Sequence, residues 1–143
     1  MSVILGEKKY QEYVYDFAED AATGVVVLSD KATKNALPVG AIVTGVALKV
    51  LTAFASGTSM SWGNGDDADG YSGTAIVTAS LTLNALFNGW DNAAALLWDD
   101  TNDHAIYNNV ADAADGSVSV TIAGTMTAGK AVLMVEYLMP AAS

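Results

Sequence analysis

Between Gly116 and Gly124 the chain reads GSVSVTIAG, and its alternation is unbroken. Val118, Val120 and Ile122 fall on one side, Ser117, Ser119 and Thr121 on the other. Successive side chains of a pleated strand point to opposite faces, so this stretch predicts a strand with one buried and one wet face. A short TMTAG connection follows, and then KAVLMVEYLM, Lys130 to Met139, which is apolar on both faces apart from Glu136. That segment reads as a central or interface-covered strand ended by Pro140. Together the two strands read as a hairpin.

The same grammar extends upstream. LPVGAIVTGVALKVLTAF opens with a Pro-Val-Gly turn at Pro38 to Gly40 and continues as a long strand. Its Ile42, Val46, Leu48, Val50 and Phe54 share a face with Thr44 and Thr52. YQEYVYDF (Tyr10 to Phe17), GVVVLS (Gly24 to Ser29), TSMSW (Thr58 to Trp62) and TAIVTASLTL (Thr74 to Leu83) are further β-rich runs, and HAIYNNV is a weak one. AAALLWDD accepts a strand or a helical turn equally well. About eight strands, punctuated by Gly, Asn and Asp, predict an all-β chain: an antiparallel β-sandwich of jelly-roll type, with a closed barrel as the alternative. No internal repeat points to a solenoid or propeller.

At 143 residues, 52% of them hydrophobic and only 15% charged, the chain suits a single domain with one core. Residues 1–17 read as an N-terminal arm or first strand and residues 18–143 as the sandwich. No apolar run is long enough to span a membrane, and the first residues lack the order of a secretory signal, so folding in the cytoplasm is the expectation. Sixteen acids face six lysines with no arginine, giving a formal charge of -10. Phosphate backbones are bound by cations, so DNA and RNA are excluded as partners. The absence of cysteine removes disulfides, zinc knuckles and thiol nucleophiles.

The densest acid lies in GNGDDADGYSG, Gly63 to Gly73. An EF-hand loop needs oxygen ligands at positions 1, 3 and 5, glycine at 6 and glutamate at 12. With Gly70 as that glycine, Gly65 falls at position 1 and Ile76 at position 12, and starts at Asn64 or Asp66 fail too. Turn chemistry fits instead, because Asn64-Gly65 and Asp69-Gly70 both accept left-handed backbone angles. Asp66, Asp67 and Asp69 remain as the candidates for an irregular cation site, and no cofactor is expected.

Catalytic patterns are missing. His104, the only histidine, has no GxSxG serine to serve, and neither a P-loop nor HExxH occurs. Trp62, Trp90, Trp98, Tyr71 and Tyr107 read as core or subunit contacts, or alternatively as a sugar-binding face. Tyr13, Tyr15 and Phe17 lie at period two and, with Tyr10, form an aromatic cluster of the kind found both in cores and where proteins meet partners.

Three blocks in order, LPVGAIVTGVALKVLTAF, GNGDDADGY and GSVSVTIAGTMTAGKAVLMVEYL, resemble small virion proteins of tailed bacteriophages. The likeness spans roughly residues 37 to 138. It implies a jelly-roll head decoration (cement) protein or head-fibre domain: a homotrimer on the capsid exterior, bound to the major capsid protein shell, with no catalytic residues. Met1 to Phe17 would then be a shell-contacting or subunit-swapping arm. A carbohydrate-binding or host-recognition sandwich is the alternative function.

Overall fold

The computed structural model describes residues 7–31, 35–72, 75–88, 98–100, 103–105 and 108–140. Its strands, in chain order, begin with β1 (Glu7–Asp16), β2 (Gly24–Val27), β3 (Ile42–Ser56), β4 (Ser59–Gly63) and β5 (Ile76–Val77). They continue with β6 (Leu86–Asn88), β7 (Trp98–Asp100), β8 (Asp103–Ala105) and β9 (Asn108–Asn109). A single helical turn, α1 (Ala113–Gly116), precedes β10 (Ser119–Ala123) and β11 (Met126–Met139). A five-stranded sheet runs β1-β11-β3-β6 with β9 also on β3, a four-stranded sheet runs β2-β10-β4-β5, and β7 and β8 form a separate ribbon. Every pairing is antiparallel among the described residues.

One core joins the two larger sheets. Tyr13, Tyr15, Val50, Leu133 and Val135 enter it from the five-stranded sheet, and Met60, Trp62, Val120 and Ile122 from the four-stranded one. The fold is therefore an all-β, single-domain sandwich. Burying an aliphatic side chain of this size contributes about 1.5–3 kcal/mol, whereas an exposed ion pair gives about 0–1 kcal/mol, so the alternating apolar residues hold the sheets together.

The strongest alternation in the sequence lies where it was expected. Val118, Val120 and Ile122 are buried. Their strand, however, does not form a hairpin with the next one. β10 pairs with β2 and β4, while β11 pairs with β1 and β3. The connection at Gly124 (φ 76°) carries the chain from one sheet across to the other, so both strands turn apolar faces inward from opposite sides. The TMTAG segment is also more than a connection, because β11 begins at Met126 and runs straight through it.

The pairing of β3 with β11 shifts register near Lys130 and again near its other end, at Glu136. Gly45 pairs with Glu136 but Val43 pairs with Tyr137, which leaves Thr44 as an extra residue on β3. Such a bulge switches the face on which side chains emerge. Val43 is buried before it, and Val46, Leu48 and Val50 after it. Ile42 and Thr44, expected on the core face, are consequently only half-buried.

The expected strand from Thr74 to Leu83 is reduced to β5. It gives way to a 3₁₀ turn at Thr78–Ser80, after which Leu81 is fully buried and its carbonyl accepts the Phe54 N–H at 3.0 Å.

Candidate functional site

The acidic stretch is a closed turn built on Asn64. This side chain is buried, and its Oδ1 accepts the backbone N–H groups of Asp66 at 2.9 Å and Asp67 at 2.8 Å. The Asn64 N–H in turn donates to the Asp67 carbonyl at 2.9 Å. The loop is shut at its base where the Tyr71 and Ser72 N–H groups donate to the Trp62 carbonyl at 3.0 and 3.1 Å. Gly63 is required by close approach, since a Cβ there would collide with the backbone of Asp67 and Ala68.

Within this turn the three candidate ligands separate. Asp69 is exposed and Asp67 half-exposed, whereas Asp66 meets Asp112 and Asp115. Carboxylate oxygens of these last three lie within 4.8 Å of one another. Asp112 and Asp115 come from the start of α1. The Asp112 side chain caps the turn by accepting the Asp115 N–H at 3.0 Å, and Asp115 Oδ2 accepts the Ala111 N–H at 2.9 Å. The Gly65 N–H donates to the Ala114 carbonyl at 3.0 Å, which fastens the two loops together. A hydrogen bond with the Asp115 carboxyl holds the Asp66 pKa above the ordinary carboxylate range, with partial desolvation and the charges of Asp112 and Asp115 adding to it. Three oxygens so close can share a proton or face a hard cation. Sequence spacing could not bring Asp66 to Asp112 and Asp115, because the contact joins loops far apart in the chain.

The N-terminal aromatics also divide. Tyr13 and Tyr15 are fully buried, Phe17 packs half-buried against the core, and Tyr10 stands 67% exposed. The Tyr13 hydroxyl lies 2.6 Å from Gln11 Oε1 and 2.7 Å from the Asn35 carbonyl, and the Tyr15 hydroxyl donates to the Ala21 carbonyl at 2.9 Å. Of the four, Tyr10 offers the most surface to a partner. Trp62 and Tyr71 are buried in the core, which removes them from any sugar-binding face. Trp90, Tyr107 and the side chains of Trp98 and His104 lie outside the described residues.

β1 is an outermost strand of its sheet, and its free edge is covered over only half its length. The Phe17 N–H donates to the Gly129 carbonyl at 2.9 Å, continuing the ladder in which Tyr15 pairs with Ala131 and Tyr13 with Leu133. Backbone groups of odd-numbered residues therefore face β11 and those of even-numbered residues face away. At the C-terminal end the Asp16 N–H and the Val14 carbonyl, both outward, have side-chain partners. The Asp16 N–H donates to Asp20 Oδ2 at 2.8 Å, the Val14 carbonyl accepts from Lys31 Nζ at 2.6 Å, and a 2.7 Å ion pair joins Lys31 to Asp20. The outward backbone groups of Lys8, Tyr10 and Glu12 have no such cover among the described residues.

Beside this edge the outer face of the five-stranded sheet is partly apolar. Val14, Val132, Met134 and Leu138 are half-exposed on it, Leu51 and Leu86 more so. Four of its charges form two pairs: Lys8 lies 3.4 Å from Glu136 and Lys130 3.7 Å from Asp16.

Against this geometry, a chain of the cyanophage Pam1 capsid asymmetric unit superposes with a TM-score of 0.58 over 98% of this chain and 90% of that one, at 19% identity. The two chains share a fold. A chain of the acidic stable capsid structure of the Helicobacter pylori bacteriophage KHP30 gives a TM-score of 0.54 at 20% identity, over 96% of this chain and 92% of that one. No protein-family model and no curated protein matches the sequence. No helix among the described residues is long and apolar enough to cross a membrane.

Proposed function

We propose that this protein is a structural component of a tailed-phage virion, bound to the outside of the capsid shell as a cement protein. The observation that carries the reading is the match in fold to chains from two phage capsids, which extends over nearly all of this chain and at least 90% of each of those. The three sequence blocks resembling small virion proteins support it independently. So does the outer face of the five-stranded sheet, where apolar side chains and paired charges suit contact with a protein lattice better than contact with a small substrate. The formal charge of -10 favours a soluble subunit that accumulates before docking. Many copies, each bridging shell subunits through a modest interface, would resist internal pressure by multivalency.

The test mixes purified protein with undecorated capsids of a tailed phage and images the particles. Added density at repeated exterior positions, together with greater resistance of the decorated particles to heat, is expected. Particles that take up no protein at saturating concentration would refute the reading.

A further inference from the structure

We propose that copies of this chain meet through the outer face of the four-stranded sheet, the valine ridge of β2 in one copy seating in the trough of small side chains on the next. No Asp, Glu, Lys or His occurs in β2, β4, β5 or β10. In the strands of the five-stranded sheet four lysines match four acids, so the whole net charge of -10 lies outside the two larger sheets. Met60, Trp62, Val120 and Ile122 enter the core, which turns the residues between them outward. On that outer face Thr121 pairs with Val25 on one side and Ser61 on the other, and Ser59 pairs with Ala123 and Val77. Val25 stands 64% exposed and Val27 37%, beside a floor on which Thr121, Ser61 and Ser59 are half-buried. The acidic turn bounds this floor at Gly63, where the backbone of Asp67 and Ala68 closes over β4.

The charge distribution selects the occupant. Every copy carries -10, so two copies repel where their acidic loops approach, and the surface on which they touch has to be free of acid. A partner recruited by charge would be met by side chains of the opposite sign, and these four strands offer neither sign. The lysines and acids of the five-stranded sheet leave that other face to the shell. Ridge and trough are different parts of one surface, so the contact between them is heterologous and closes into a ring rather than a two-fold pair. Ring closure covers Val25 and Val27, which otherwise stand exposed on an outermost strand.

The inference goes beyond capsid binding and is read on free protein, so either can fail without the other; only the number of copies, three, rests on the cement reading. Light scattering coupled to size-exclusion chromatography, on the full chain across micromolar concentrations, is expected to show a trimer. Val25→Glu places a carboxylate on the ridge and is expected to raise the dissociation constant about tenfold or more. Adding Ser61→Lys to that variant sets a lysine opposite each new glutamate and is expected to recover association. Leu51→Glu makes the same kind of change on the other sheet and is expected to leave association intact. Added salt is expected to tighten the unmodified trimer, because it screens the repulsion between copies and has no ion pair in the contact to weaken. Circular dichroism confirms that each variant folds. A monomer or a dimer at high micromolar concentration, an oligomer that salt loosens, or a Val25→Glu variant no weaker than Leu51→Glu would overturn the proposal, as would a failure of Ser61→Lys to rescue.

Discussion

Thr44 Oγ1 donates to the Glu136 carboxylate at 2.8 Å, across the point where β3 carries one more residue than β11. The hydroxyl does two things at once. It anchors the bulge that moves Val43 and Val46 onto the core face, and it is the largest cause of a Glu136 pKa below the ordinary carboxylate range, with Lys8 and Tyr10 assisting. A depressed carboxylate stabilises the fold above its unfolded-state pKa, and that contribution disappears as pH falls through the folded-state value. Thr44→Val is therefore expected to cost about 1 kcal/mol at neutral pH and clearly less at pH values where Glu136 is protonated. Urea unfolding of both proteins at the two pH values measures the difference.

Gly129 lies inside β11 at φ 144°, among the register shifts that surround Lys130, and the Phe54 ring covers its Cα. That ring also stacks on Tyr15, with centroids 5.8 Å apart. A methyl group at position 129 would enter the ring while straining the backbone. Gly129→Ala is expected to destabilise by about 2 kcal/mol. Combining it with Phe54→Leu should give less than the sum of the single effects, because the smaller side chain relieves the clash. Chemical denaturation of the four proteins in the cycle tests the coupling.

Burial pushes the Tyr13 phenol up from its ordinary value of 10.0, with Tyr71 and Tyr137 contributing. A raised folded-state pKa gives stability that is complete below the unfolded-state value and lost as pH rises beyond it. The protein should therefore lose stability above about pH 10, where only the unfolded chain ionises this group. Tyr13→Phe should flatten that loss. Spectroscopic titration of tyrosinate alongside circular dichroism shows whether Tyr13 ionises only as the fold opens.

How much of this was legible in the sequence depends on the range of the interaction. Val118, Val120 and Ile122 announce their burial because a strand's side-chain period is fixed locally. The central position of β11 could likewise be read from apolar residues on both faces. The face switch at Thr44 could not, since a bulge adds one residue without changing composition, and a threonine at the wrong parity is its sole local trace. The β10–β11 hairpin failed for a related reason. A short glycine-containing link can fold strands onto each other or arch them between sheets, and only the partners of β10, contributed by β2 and β4, decide which. At the acidic turn, the turn chemistry of Asn64 was readable, but Asp112 and Asp115 were not, because they signal only a helix cap in their own neighbourhood.

That acidic junction yields the last prediction. Asp66, Asp112 and Asp115 hold carboxylate oxygens within 4.8 Å of one another, and Asp115 is tied to the Ala111 N–H and cannot swing away without losing it. The Asp66 pKa is raised, chiefly by its hydrogen bond with Asp115, so the folded state retains a proton that the unfolded chain releases more readily. Its contribution to stability is complete at pH values below the ordinary aspartate pKa and is lost as pH rises through the folded-state value. Asp66→Asn keeps a donor for Asp115 at every pH and removes one of the three charges. The variant is expected to melt at a higher temperature than the parent near pH 7, with the difference narrowing as pH is lowered through the carboxylate range. High salt should narrow it as well, since Asp66 is exposed and its repulsion is screened. Thermal melts in Ca²⁺ and in EDTA separate the two ways of neutralising the cluster. Equal melting temperatures leave a shared proton as the agent, whereas a Ca²⁺-dependent rise in the parent that Asp66→Asn lacks would assign the role to a cation.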